Sequence, residues 1–293
     1  MSVPKICFIG GGNMAEAIFA GLLSRQHPTS KIVVTEPFEQ RAQQLREKYS
    51  ISVYTDNNKA IAENNDIEVV ILAVKPQVVS KAVKGISADL RSLKPLVVSI
   101  VAGVRVVDLE RWIHGDAKPD AISVPVVRLM PNTPALVGEG AAGMYGSSIV
   151  SDKQRGQTEY IVQNIAKEYF WCDKESGIDA VTAISGSGPA YFFLVLEAME
   201  KAGVELGLDA KAAKRLAAQT CLGAAKMVLN SDDEGTADLR RKVTSPNGTT
   251  QAAIEAMQAA QVPEGIFKGC IACNNRSVQL ADEFGKDEVQ SSL

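Results

Sequence analysis

Two short stretches carry residue types and spacings that can do chemistry. The first is "KICFIGGGNMA", where Lys5–Ile9 runs directly into Gly10-Gly-Gly12-Asn13-Met14-Ala15. The spacing is G-x-G-x-x-A after a strand and before a helix. Gly10 permits a tight turn, Gly12 lets a pyrophosphate approach the backbone, and Ala15 allows close helix–strand packing. The helix that follows offers free N–H groups and a positive dipole end to phosphates. The second stretch is "VTSPNGTTQAAIEAM", Val243 to Met257. Asn247-Gly248 can supply a positive φ, and a helix opening within Gly248–Thr250 points several N–H groups outward. The hydroxyls of Ser245, Thr249 and Thr250 stand beside them. Donors so gathered suit a carboxylate, although a threonine serves equally well as a plain helix cap.

Three further positions gather around the glycine loop. Glu36 ends the second strand about twenty residues past the glycines, where an acid bonds a ribose 2′-hydroxyl and favours NADH. Arg41 lies close enough in sequence to favour NADPH instead, so both cofactors stay open. Lys75-Pro76 closes the strand "VVILAV", at the carboxyl end where open α/β sheets bind ligands. The same edge receives "SIVAG" and "MPNTPA", the latter also readable as a rigid turn.

The usual acid–base residues are missing. The chain has two histidines; His27 lies in a polar loop and His114 at a helix C-terminus. No H-E-x-x-H or G-x-S-x-G occurs. An alcohol dehydrogenation needs a base that cycles a proton. An imine asks less, because its protonated nitrogen already makes the adjacent carbon electrophilic. Positioning and one hydroxyl donor then suffice for hydride arrival.

The elements that position these residues change character along the chain. Apolar, β-branched runs at Lys5–Ile9, Ile32–Thr35, Ile51–Tyr54, Glu68–Val74, Leu96–Val101 and Val124–Met130 alternate with helical segments at Met14–Ser24, Glu39–Tyr49 and Val107–Ile113. That alternation predicts an α/β Rossmann domain with a parallel-rich sheet. After about Ser176 only helices follow. Pro189 opens one, Asp209 and Thr236 cap two more, and Glu264–Glu283 forms the last. The expected division is 1–175 for the dinucleotide domain and 176–293 for an all-α domain.

Composition bounds the rest. The 293 residues are 46% hydrophobic and 22% charged with a net charge of −3, an ordinary globular balance without a basic field for nucleic acid. Arg240-Arg241-Lys242 reads as a solvated helix end. The apolar run "AYFFLVLEAM" is too short to span a bilayer and the N-terminus is no signal peptide, so a soluble cytoplasmic protein is expected. Five cysteines fit free thiols; Cys270 and Cys273 share a helix face and read as core packing rather than a metal site.

Taken in order, "IGGGNMAEAI", "AVKPQ", "VSIVAGV", "RLMPNTPALVGEGAAGMY", "DAVTAISGSGPAYFF" and "KVTSPNGTT" resemble pyrroline-5-carboxylate reductase, the last enzyme of proline biosynthesis. The resemblance covers nearly the whole chain. It implies NADH- or NADPH-dependent reduction of a cyclic imine, a helical domain interlocked in a homodimer, dimers assembled into rings such as decamers, and an active site shared between subunits. It places cofactor on Gly10, Gly12, Asn13 and Met14, on Asn58, on Ala73, Val74, Lys75 and Pro76, and near Ala102. It places the substrate carboxylate on Ser245, Thr249 and Thr250 with Val243 close by, and makes Thr250 the hydroxyl near the imine nitrogen. Asn247 and Thr249 stand where some members have Gly and Ala, and the loop around Glu36 varies within the family. A β-hydroxyacid dehydrogenase-like enzyme is the rival reading, but the helix "GSGPAYFFLVLEAMEKAG" lacks that group's Lys and Asn in its first turns. A non-catalytic dinucleotide sensor would leave "SPNGTT" without a purpose.

Overall fold

The computed structural model describes residues 3–115 and 124–286. Six parallel strands come first: β1 (Ile6–Ile9), β2 (Ile32–Thr35), β3 (Ser52–Tyr54), β4 (Val69–Leu72), β5 (Leu96–Ser99) and β6 (Val126–Met130). The sheet continues with β7 (Gly140–Gly146), antiparallel to β6, and β8 (Ala166–Trp171), parallel to β7. The order across the eight strands is β3-β2-β1-β4-β5-β6-β7-β8. Because β1 lies between β2 and β4, the winding reverses there. The carboxyl ends of β1 and β4 therefore flank the crevice where open α/β sheets take ligands.

Helices cover both faces. α1 (Asn13–Ser24), α2 (Glu39–Tyr49) and α6 (Asp152–Val162) pack on one side, where Ile6 and Phe8 meet Ile18, Phe19, Leu45 and Ile161. α3 (Asn57–Ala62), α4 (Pro76–Leu93) and α5 (Val106–His114) pack on the other, where Cys7 and Ile9 meet Ile61, Val83, Leu109 and Trp112. Alternate residues of β1 thus go to opposite cores, which explains its unbroken apolar sequence. Each such large side chain contributes about 1.5–3 kcal/mol on burial.

The chain divides into two compact units, Met1–Ser187 with Cys273–Leu293, and Gly188–Ala272. Both limits differ from a break at 175/176. The reason is packing: α7 (Gly177–Val181) brings Ile178 and Val181 against Met130 of β6. Likewise Ser277 donates to Asp179 at 2.7 Å, in a buried pair, and Arg105 pairs with Asp282 at 2.7 Å. The end of the last helix therefore completes the sheet-bearing unit.

The second unit holds α8 (Gly188–Glu205), α9 (Ala210–Leu229), α10 (Thr236–Lys242), α11 (Thr249–Ala259) and the start of α12 (Val262–Phe284). Pro189 falls in the first turn of α8. Asp209 caps α9 as expected, accepting from the Ala212 N–H at 3.0 Å. Thr236 does not cap α10: extended Gly235 holds that position, and Thr236 is the first helical residue. Arg241 and Lys242 end α10 paired with Asp238 and Glu234. Cys270 and Cys273 are half-buried rather than core residues; Cys273 Sγ lies 3.2 Å from Ser187 Oγ. Among the described residues no cluster of metal-ligating side chains occurs. The helical run Gly177–Glu205 is long and apolar enough to cross a bilayer by length and composition alone, a longer run than "AYFFLVLEAM" suggested.

Candidate active site

β1 delivers the chain into the glycine loop at the crevice. Gly10 has φ +107°, and a Cβ there would stand 2.7 Å from the Ala73 carbonyl oxygen at the end of β4. Its N–H donates to the Thr35 carbonyl at 3.1 Å. Gly12 is the N-cap of α1, in extended backbone and without a side-chain cap. A Cβ on Gly12 would meet nothing within 4 Å. The opening over Gly12, with uncapped donors of α1 behind it, fits a pyrophosphate. Asn13 is exposed, Met14 half-buried and Ala15 fully packed.

The neighbouring strand ends supply the rest of this edge. Ala73 and Val74 follow β4, Lys75 is the exposed N-cap of α4, and Pro76 is its first residue. Ala102 is exposed just beyond β5. Glu36 follows β2, is 8% exposed, and accepts the Phe38 N–H at 3.2 Å. Asn58 is engaged elsewhere: its amide donates to the Gly85 carbonyl in α4 at 3.1 Å. The "MPNTPA" turn is internal scaffolding. Asn132 donates to the Ser185 carbonyl at 3.1 Å and accepts the Ala141 N–H at 2.9 Å.

A charged cluster under the loop has no signature in local sequence. Glu16 on α1 accepts from Lys48 at 2.9 Å, from Tyr49 at 2.6 Å and from Arg41. Arg41 also donates to the Gly11 carbonyl at 3.3 and 3.4 Å. Burial pushes the Glu16 carboxyl up, but the three donors and the Arg41 charge outweigh it and bring the pKa to about 2. Partners 25, 32 and 33 positions apart meet here only because α1 and α2 share one face of the sheet.

The second stretch forms the turn before α11. Asn247 takes φ +57° and Gly248 is the N-cap in extended backbone, with no side-chain cap. Gln251 reaches back to accept the Asn247 N–H at 2.7 Å. Thr249 and Thr250 are therefore the first two residues of the helix, not its cap. Ser245, Thr249 and Thr250 are exposed, and none of their hydroxyls has a hydrogen bond within the described chain. Val243 ends α10 and is 57% exposed. Neither histidine joins these residues. His27, in the loop after α1, is packed away at 3% exposure, Nδ1 lying 3.0 Å from the Tyr160 hydroxyl. His114 ends α5.

Residues 175–280 match the family model described as pyrroline-5-carboxylate reductase dimerisation, and residues 5–103 match NADP oxidoreductase coenzyme F420-dependent. A pyrroline-5-carboxylate reductase of Pseudomonas aeruginosa is 42% identical over 98% of this chain and 100% of its own length. The chain belongs to the pyrroline-5-carboxylate reductase family. A second relative of that name, from Pasteurella multocida, is 40% identical over 97% of this chain and 100% of its own. Among solved structures, the pyrroline-5-carboxylate reductase of Coxiella burnetii matches with a TM-score of 0.84 at 35% identity, covering 96% of this chain and 99% of that one. The Plasmodium falciparum reductase, solved with NADP bound, matches with a TM-score of 0.82 at 25% identity over 96% and 99% of the two chains. Membership of this reductase family gives the second unit its role as a dimerisation module and explains why its apolar helices are left uncovered in one chain.

Proposed function

We propose that this protein reduces the cyclic imine 1-pyrroline-5-carboxylate to L-proline, the last step of proline biosynthesis, with NADH or NADPH. The observation that carries the reading is the uncapped N-terminus of α11, with three unpartnered hydroxyls beside it, in a chain of this family. The N–H groups of Thr249 and Thr250 and the hydroxyls of Ser245 and Thr249 hold the substrate carboxylate. Val243 offers an apolar contact to the ring. Thr250 Oγ1 donates a hydrogen bond to the nitrogen of the neutral imine and gives it the proton it takes up as hydride adds to the carbon, the exposed hydroxyl then being reprotonated from solvent. Gly10, Gly12, Asn13 and Met14 hold the pyrophosphate, Lys75 and Pro76 line the strand edge with Ala73 and Val74, and Ala102 borders the same opening. Glu36 faces the ribose. Asn58 joins them if its amide leaves Gly85. A reduced nicotinamide, when bound, supplies hydride to the imine carbon. The chain contributes position and charge, so the absence of a suitably placed histidine costs nothing.

The same reading makes the protein a soluble, cytoplasmic homodimer assembled further into a decamer of five dimers, which light scattering tests directly. Assay of the purified protein with 1-pyrroline-5-carboxylate and each reduced dinucleotide tests the activity. Proline formation is expected; no turnover with either cofactor would overturn the reading in favour of a dinucleotide sensor.

A further inference from the structure

The end of β2 and the first turn of α2 carry an acid and a cation that are not equally available. Glu36 turns Oε2 towards the glycine loop, 3.2 Å from where a Cβ on Gly11 would stand. Its other oxygen accepts the Phe38 N–H, which fixes the carboxylate at the strand end. Arg41, in the first turn of α2, is the cation that a 2′-phosphate at this place would seek. That guanidinium is already engaged. It is held by the Glu16 carboxylate and by the Gly11 carbonyl. Glu16 is itself fixed by Lys48 and Tyr49 and stays ionised across the physiological range.

We propose that this chain selects an adenosine ribose with free hydroxyls, NADH over NADPH: Glu36 accepts from the ribose hydroxyls, and Glu16 acts as a positioning residue that keeps Arg41 from pairing with a 2′-phosphate. The proposal rests on the dinucleotide reading of Gly10–Ala15 and deepens it. A ribose diol donates to a carboxylate, whereas a 2′-phosphate meets it as a like charge in a partly dry site. With Arg41 held by Glu16 and the Gly11 carbonyl, its guanidinium is not free to offset that repulsion.

Direct titration of the full-length protein with NADH and with NADPH, followed by nicotinamide fluorescence, reads the preference without turnover. NADH is expected to bind at least about tenfold more tightly, since like-charge juxtaposition excludes wrong partners. Glu36→Gln keeps the shape and the Phe38 acceptor, and brings the two affinities within about threefold of each other. Glu16→Gln tightens NADPH binding relative to NADH, and adding Arg41→Ala to it removes the gain. A native protein that binds NADPH as well as NADH would overturn the proposal. So would an unchanged ratio in Glu36→Gln, or a gain in Glu16→Gln that survives Arg41→Ala. Binding of neither dinucleotide would fell the loop reading along with the preference; preference for NADPH would fell the preference alone.

Discussion

At the scale of single residues, the glycines of one loop separate into two kinds. Gly10 is required by the fold: its φ is +107° and an added Cβ would press on the Ala73 carbonyl. Gly10→Ala should cost about 1–3 kcal/mol of stability, read as a lower urea midpoint. Gly12 faces open space, so Gly12→Val should fold normally and lose dinucleotide binding; retained affinity by titration would refute the pyrophosphate reading. Thr250 is tested by a pair of variants. Thr250→Val keeps the shape, and kcat should fall about a hundredfold with little change in KM, the lower end for a positioned proton donor. Thr250→Ala should fall by no more; an unchanged kcat in both removes the hydroxyl from the mechanism. The backbone of both stretches was legible because each is a contiguous motif whose neighbours determine it. The side-chain partners of Arg41 and Asn58 were not, because Glu16 and Gly85 engage them from other helices.

Among the elements, β1 to β6 were legible within a residue or two at most ends because both sides of each strand meet a core. β7 and β8 were not. "GAAGMYG" has no β-branched residue, and "AKEYFW" is an edge strand with Tyr169 and Phe170 exposed. Tertiary packing explains the composition of β7. A Cβ on Gly143 would stand 2.5 Å from Val181 Cγ2, so the glycine lets α7 lie close against the strand. Gly143→Ala should destabilise by about 1–3 kcal/mol, measured by urea unfolding. The α1–α2 cluster gives a pH signature. Because the Glu16 pKa is depressed, its stabilisation is complete above the ordinary 4.5 and is lost as pH falls towards about 2. Glu16→Gln should flatten that part of the acid-unfolding curve; an unchanged curve would show that the cluster adds nothing to stability.

For the whole molecule, exposed apolar side chains concentrate in the second unit. Phe192, Phe193 and Leu194 on α8, Leu206 after it and Phe267 on α12 are all more than half exposed. A helical dimerisation module leaves such a surface for a second copy. Phe193→Glu should shift the protein towards monomer in sedimentation while NADH titration still detects the first unit; an unchanged mass would exclude that residue from the interface. Strand–helix alternation made the two-part architecture legible; helical periodicity is the same whether a helix covers a sheet or another helix, so α7 and the end of α12 carry no mark that they pack on the first unit. The return of Cys273–Leu293 to the first unit has a consequence for synthesis. A ribosome releases the chain N-terminus first, at about 5–20 residues per second. All eight strands therefore emerge before Leu280 and Phe284 can reach Gly103, or Ser277 can reach Asp179. The unit that leaves the ribosome first therefore cannot finish folding until the last helix has emerged.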